Sequence, residues 1–306
     1  MKIITETEFQ LNNDSAVTIG KFDGIHRGHR LILDRIIEKK KHGLDAVVFT
    51  FDPSPMELFS GKKIPGLTTR EEKRRIFDFL GVDTLIEYPL NKESAAIAPE
   101  DYITDVLCKQ MRMKYIAAGE DLSFGHLGKG NSELLGDMAS AYGYETDIIG
   151  KLVEDGEEIS SSLIRDVVSS GDMEKANRLI GVPYAVYGVV RHGRALGREM
   201  GFPTVNIEIS DEKLMPPYGV YFTEVSIDGR HFNGITNIGC KPTVTDSKKV
   251  FAETNILDFN EDVYDRNITV KLLHFSRSEQ KFSSVDELKN RIQVDIAEGK
   301  DYFNVR

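Results

Sequence analysis

Gly20-Lys21-Phe22-Asp23-Gly24-Ile25-His26-Arg27-Gly28-His29 decides the fold of the first half of this chain. It follows a short apolar strand, Ala16-Val17-Thr18-Ile19. It opens a helix whose apolar face, Leu31, Ile32, Leu33, Ile36 and Ile37, recurs over His29 to Lys41. A strand that turns through glycine into a helix makes an anion site, because the first helical N–H groups are unpaired and the dipole is positive there. His26 and His29 are three apart, so both imidazoles can face one ligand. Gly28 lets the backbone approach that ligand. The chemistry this suits is nucleotidyl transfer: an attacking phosphate displaces pyrophosphate from the α-phosphate of a nucleoside triphosphate, and donors stabilise charge on the phosphoryl oxygens. Read alone, the same residues also fit two helix-start histidines without a role, or a metal pair, for which no third ligand stands at useful spacing.

Outward from this stretch, strand and helix patterns alternate for about 180 residues. Ala46 to Phe51, Thr84 to Ile86, Tyr115 to Ala118 and Glu145 to Ile149 read as strands. Thr68-Thr69-Arg70-Glu71 reads as a capping box opening a helix to Leu80, and Pro99 opens another to about Gln110. Such alternation implies a parallel sheet covered on both faces, with ligands beyond the carboxyl ends of the strands, where Gly20, Asp52 and Gly119 stand. The pattern changes near Gly181-Val182-Pro183. Short alternating strands follow, as in an all-β barrel: Tyr184 to Arg191, Gly219 to Ile227, Phe251 to Ile256 and Ile268 to Phe275, with a hairpin turn at Asp228-Gly229. A helix from Val285 to about Glu298 closes the chain. The expected division is 1–182 and 183–306.

The chain has 306 residues, which suits two domains. Its formal net charge of −10 argues against wrapping nucleic acid. Cys108 and Cys240 match no metal spacing and read as reduced packing thiols. No signal pattern and no apolar run near the ~20 residues of a membrane span is visible, so a cytoplasmic protein is expected.

Several other stretches carry chemistry. Asp52-Pro53 with Pro55 makes a stiff turn at a strand end. Phe124, in a glycine-containing loop with Asp121, offers an aromatic face for stacking on a planar ring, or else anchors the loop to the core. Ser160, Ser161, Ser162 and Arg165 gather hydroxyls and a guanidinium at a helix start, suited to triphosphate oxygens or to a plain N-cap cluster. Gly193 to Asn206 is rich in glycine and cationic residues, Gly197, Arg198 and Gly201 among them, and runs through Pro203 to Thr204 and Asn206. The last two, two apart, can offer oxygens to one hard cation such as phosphate-bound Mg²⁺; read alone, the stretch also fits a barrel hairpin with a polar face.

Gly20 to His29 resembles the Gly-x-Phe-Asp-Gly-x-His-x-Gly-His signature of the prokaryotic bifunctional riboflavin kinase/FMN adenylyltransferases, also called FAD synthetases. The resemblance runs on through Thr50-Phe51-Asp52-Pro53, Gly119 to Gly125 with Gly128 to Asn131, Ile159 to Arg165, Gly201 to Asn206, Asn237-Ile238-Gly239, and Arg277 to Phe282. It implies an α/β plus all-β fold: a Rossmann-like nucleotidyltransferase domain, then a six-stranded antiparallel β-barrel riboflavin kinase domain with a C-terminal helix. It implies that riboflavin is phosphorylated by ATP and Mg²⁺ to FMN in the second domain. AMP is then transferred from ATP to FMN in the first, giving FAD and pyrophosphate. His26, His29 and Arg165 would be catalytic there, with Gly20, Phe22, Asp23, Gly28 and Ser160 to Ser162 on the ATP phosphates, and Asp52, Asp121 and Phe124 on the flavin side. In the kinase, Glu253 would be the base, Thr204 and Asn206 the Mg²⁺ holders, Gly197, Arg198, Gly201 and Pro203 the ATP loop, and Arg277 a flavin-side residue. Small-molecule substrates and a monomer or weak homo-oligomer are expected. The sequence departs from the family pattern at Leu122, Ser162, Val205 and Asp265; the last would have to tolerate a φ > 0 turn.

Overall fold

The computed structural model describes residues 1–191, 200–242 and 248–305. These form two compact units, Met1–Ser161 and Ser162–Arg306.

The first unit is a sheet of six strands: β1 (Lys2–Ile4), β2 (Ser15–Ile19), β3 (Asp45–Asp52), β4 (Thr84–Pro89), β5 (Met113–Gly119) and β6 (Glu145–Ile149). They lie in the order β1-β4-β3-β2-β5-β6, every neighbouring pair parallel. From β2 the chain moves outward to β3 and β4, then returns to β5 and β6 on the other side. That reversal leaves a crevice between the carboxyl ends of β2 and β5, where doubly wound sheets bind ligands. All five residues of β2 are buried, as a central parallel strand requires. Val17 and Ile19 join Val47, Phe49 and Ile116 in one core, while Ala16 joins Ala46, Val48 and Ala117 in the core on the opposite face. Helix α1 (Arg27–Glu38) seals the second core with Leu33 and Ile36.

Some local expectations need correction. A short helix, α2 (Pro55–Ser60), follows the turn at Asp52-Pro53. The capping box of α3 (Arg70–Leu80) forms one residue later than expected: Thr69 Oγ1 accepts from Glu72 N at 3.2 Å, and Glu72 Oε2 accepts from Thr69 N at 2.9 Å. Thr68 Oγ1 instead accepts from Gly24 N at 3.4 Å. The helix opened by Pro99, α4 (Pro99–Asp101), continues as a π-helical stretch, Tyr102–Gln110. Strand β1 has no sequence signature, because three residues carry too little alternation. Helix α5 (Ser132–Tyr142) and a hairpin of β7 (Val153–Glu154) and β8 (Glu157–Glu158) complete this part.

Helices α6 (Ser161–Ser170) and α7 (Met173–Ile180) lead into six antiparallel strands, β9 (Ala185–Arg191), β10 (Val205–Ile209), β11 (Gly219–Ile227), β12 (Arg230–Pro242), β13 (Lys248–Ile256) and β14 (Asn267–Ser278). They close in the order β10-β13-β12-β11-β14-β9, with β9 paired to β10, so no edge is left open. The expected turn at Asp228-Gly229 forms, with φ of +48° and +77°. Asp265 does take a positive φ, +59°. Inside the barrel, Thr223, Thr236 and Thr254 link hydroxyls at 2.8 Å each, so their buried oxygens are satisfied. Helix α8 (Val285–Asn304) packs Ile296, Tyr302 and Phe303 against Val220, Phe222 and Ile235.

Candidate active sites

In the first unit, the loop from Gly20 to His29 is held from behind by residues 66–69. Gly24 takes φ +85°, and a Cβ there would stand 2.8 Å from Leu67 Cδ1. Asp23 Oδ1 accepts from Leu67 N at 2.6 Å. Phe22 is 1% exposed and lies edge-on to Phe77 at 5.6 Å and tilted to His29 at 5.1 Å. It therefore sits behind His29. His26 is the N-cap of α1, and its Nδ1 accepts from His29 N at 3.4 Å. The two rings stack at 3.7 Å and 21°. A Cβ on Gly28 would come within 3.2 Å of the His26 ring, so the glycine makes room for the stack.

Burial lowers the His26 pKa from the usual 6.5 to about 4, against the pull of Asp23 and Asp121. Burial, then His26 and Lys73, hold His29 well below 6.5. Both rings are neutral at physiological pH and act as hydrogen-bonding groups rather than cations. Among the described residues, the buried Nδ1 of His29 has no hydrogen-bond partner, as expected of a group that awaits a ligand. Across the crevice, Asp121 folds back over Gly119, its Oδ1 3.0 Å from where a Cβ would stand. Ser161 Oγ donates to the Asp23 carbonyl at 2.9 Å. Ser160 is half-buried and Ser162 exposed; Arg165, half-buried, lies one turn along α6 from Ser161 and Ser162. Asp52, at the end of β3, is ion-paired with Arg70.

Phe124 differs from the stacking expectation. It is 2% exposed, bridges to Gly130 and packs on Tyr102 at 5.6 Å. A Cβ on Gly130 would overlap its ring at 2.6 Å, so the ring is anchored in the core. Leu122 packs at the edge of the same core. Cys108 also packs there, and burial pushes its thiol up to about 11. Lys73 was missed. From α3 its Nζ donates to the Lys21 carbonyl at 3.2 Å, and burial lowers its pKa while Asp23, Glu87 and Asp52 oppose. One lysine in a charged helix carries no sequence signal.

In the second unit, Gly197 and Arg198 lie outside the described residues. Gly201 takes φ +88°, and the Pro203 carbonyl accepts from Asn255 Nδ2 at 2.8 Å. Asn206 pairs directly opposite Glu253, and Glu253 directly opposite Asn237 on its other side. Opposite residues point to one face with Cβ atoms about 5 Å apart. Three expected residues from three strands thus form one row. Ala252, Thr254 and Ile256 are buried toward the barrel interior, which puts Glu253 on the outer face. A Cβ on Gly239 would stand 2.1 Å from Glu279 Oε1 and 3.3 Å from Asn237 Nδ2; glycine leaves room for that carboxylate beside the row. Thr204 lies one residue before β10, at the rim of a cavity of about 280 Å³ that Val190, Val205, Phe259, Val263 and Tyr264 also line. Arg277, near the end of β14, donates to Asp295 Oδ1 from Nε at 2.8 Å and to Oδ2 from Nη2 at 2.6 Å.

The family model for FAD synthetase matches residues 8–163, and that for riboflavin kinase matches residues 180–303. The chain is 37% identical over 292 residues to the bifunctional riboflavin kinase/FMN adenylyltransferase of Escherichia coli strain K12, covering 94% of this chain and 93% of that protein. It belongs to this family. The Bacillus subtilis strain 168 member is 34% identical over 297 residues, covering 95% and 93%. A solved Streptococcus pneumoniae structure, named as a macrolide-efflux protein, matches 98% of this chain and 99% of its own, with a TM-score of 0.85 at 28% identity. Efflux is said of that protein; no described helix here is long and apolar enough to cross a membrane. As a bifunctional riboflavin kinase/FMN adenylyltransferase, this enzyme makes FMN from riboflavin and ATP, and FAD from FMN and ATP. The FAD synthetase segment comes first and the riboflavin kinase segment second, as the signatures imply.

Proposed function

We propose that the His26–His29 stack, at the switch point of the parallel sheet, is the adenylyl-transfer centre. The carrying observation is the stacked pair of neutral imidazoles at the start of α1, with a His29 Nδ1 that has no partner among the described residues. An oxygen of the FMN phosphate attacks the α-phosphorus of ATP, and pyrophosphate leaves on the opposite side. The imidazole N–H groups and the first amides of α1 stabilise the charge that builds on the phosphoryl oxygens. Gly20 and Gly28 admit the triphosphate, and Ser160, Ser161, Ser162 and Arg165 contribute to holding it, as the family motif implies. Phe22 and Asp23 brace the loop. Asp52 and Asp121 stand on the flavin side, and Phe124 supports that loop from within the core.

In the kinase, Glu253 accepts the proton of the riboflavin 5′-hydroxyl as its oxygen attacks the γ-phosphate and ADP leaves. Thr204 and Asn206 present hard oxygen donors beside this carboxylate, a set that fits Mg²⁺. Bound there, Mg²⁺ supplies neutralisation of phosphate charge. Gly201 and Pro203, with Gly197 and Arg198 of the same motif, shape the ATP loop. The cavity beside Thr204, with Phe259 and Tyr264 among apolar neighbours, suits a nucleotide base. Arg277 acts on the flavin side. The functional division falls at 182/183, close to where the riboflavin kinase match begins. The protein is taken as cytoplasmic; a monomer or weak self-association, without affinity for nucleic acid, accords with the net charge of −10.

The test separates products from riboflavin, ATP and Mg²⁺. Glu253→Gln is expected to abolish FMN formation while FAD still forms from supplied FMN. His29→Ala is expected to do the reverse, with a loss of about a hundredfold or more in FAD formation. Undiminished FMN formation by Glu253→Gln would remove that residue from the reaction.

A further inference from the structure

Arg277 lies on the line of residues that contains the kinase base. Glu253 is opposite Asn237, Asn237 opposite Val220, and Val220 opposite Arg277. Three strand spacings separate Glu253 from Arg277, about 14 Å along the barrel surface. That is the reach of an extended substrate whose one end reacts at Glu253. An arginine is useful at the far end only if its long side chain is held in one orientation, because four flexible bonds otherwise spread the guanidinium over many positions.

Asp295 on α8 supplies that hold. It is 3% exposed, and both of its oxygens accept from Arg277 in a fork-to-fork pair. Arg277 Nη1 also donates to the Ser278 carbonyl at 3.1 Å. These bonds use three of the five guanidinium N–H groups and leave one each on Nη1 and Nη2. Arg291 Nε donates to Asp295 Oδ1 at 2.9 Å, so a second guanidinium also holds this buried carboxylate in place beside Arg277. Close approach of α8 to the barrel at Gly299 brings this carboxylate down: a Cβ there would stand 2.2 Å from Ile235 Cδ1.

We propose that Asp295 is a positioning residue of the riboflavin kinase reaction: from the C-terminal helix it orients Arg277 toward the flavin end of the substrate and so sets riboflavin affinity. The inference rests on the flavin-side reading of Arg277. Steady-state kinetics on the full chain test it, with FAD formation from supplied FMN as an internal check of folding. Asp295→Asn is expected to raise the KM for riboflavin about tenfold, with kcat and the KM for ATP changed less than threefold. Asp295→Glu, which keeps a bidentate acceptor, is expected to recover part of the loss. Equal rises in both KM values with a lowered Tm would make Asp295 a mere clamp for the helix and overturn the proposal. So would an unchanged riboflavin KM in Asp295→Asn. Arg277→Gln separates the two levels. If it raises the riboflavin KM and Asp295→Asn does not, the positioning role alone fails. If it leaves that KM unchanged, the flavin-side reading of Arg277 fails and the inference with it.

Discussion

His26 and His29 differ in role although both are buried imidazoles in one motif. His26 caps α1 through Nδ1, so that nitrogen carries no proton and Nε2 carries the N–H. His29 has its backbone N–H in the cap and its Nδ1 unpaired among the described residues. Both pKa values are depressed, His26 to about 4 from 6.5. The unfolded chain therefore binds more protons than the folded one between these values, and stability falls as pH drops. For His26 the contribution is whole above pH 6.5, declines from there, and is lost at about pH 4; its size is on the order of 3 kcal/mol. Chemical denaturation at pH 7 and pH 4.5 checks this: the His26→Asn variant is expected to lose less stability between the two than the parent chain. Adenylyl transfer is likewise expected to show no titration step near pH 6.5. With FMN saturating, a loss of activity as pH rises through 6.5 would mean that an imidazolium is required.

At the scale of elements, the kinase row depends on strand register. A one-residue slip of β13 would turn Glu253 into the barrel and Thr254 out. The register is held by the Thr223–Thr236–Thr254 hydroxyl chain inside and by the Asn255 bond to the Pro203 carbonyl outside. The C-terminal helix is held by shape. Gly299→Val is expected to push α8 off Ile235, costing about 2 kcal/mol in denaturant unfolding of the barrel. Because α8 carries Asp295, the same variant is also expected to weaken riboflavin binding. Unaltered stability would mean that the contact gives way without cost.

Across the whole molecule, two active sites of different architecture serve consecutive steps, since the kinase product FMN is the acceptor for the transferred AMP. The parallel sheet offers a crevice and a helix start, which suit a triphosphate held by backbone donors. The closed barrel offers a rigid outer row in which Asn206, Glu253 and Asn237 keep fixed spacing, as the proposed base and cation site requires. One mixture of riboflavin, ATP and Mg²⁺ is expected to yield FMN first and FAD later. Chelation of the Mg²⁺ is expected to stop FMN from forming, followed by fluorescence of the separated flavins. FMN made at the full rate under chelation would show that Thr204 and Asn206 hold no required cation.

The amino-acid order by itself determined the change from α/β to all-β, because hydrophobic period and turn residues are local properties. It also determined most of the candidate residues, since glycine, histidine and carboxylate spacing marks where a phosphate can be met. Tertiary structure decided what each residue faces. The sequence leaves Phe124 either a stacking face or a core anchor, and it is the anchor, because Tyr102 and Gly130, distant or small, pack against its ring. Lys73 had no motif and became part of the first site, because the fold brings α3 under the Gly20–His29 loop. Arg277 and Asp295 are 18 positions apart on different elements, and their pairing exists through the packing of α8 on the barrel. Local chemistry is written along the chain; burial and partnership depend on residues that only folding makes neighbours.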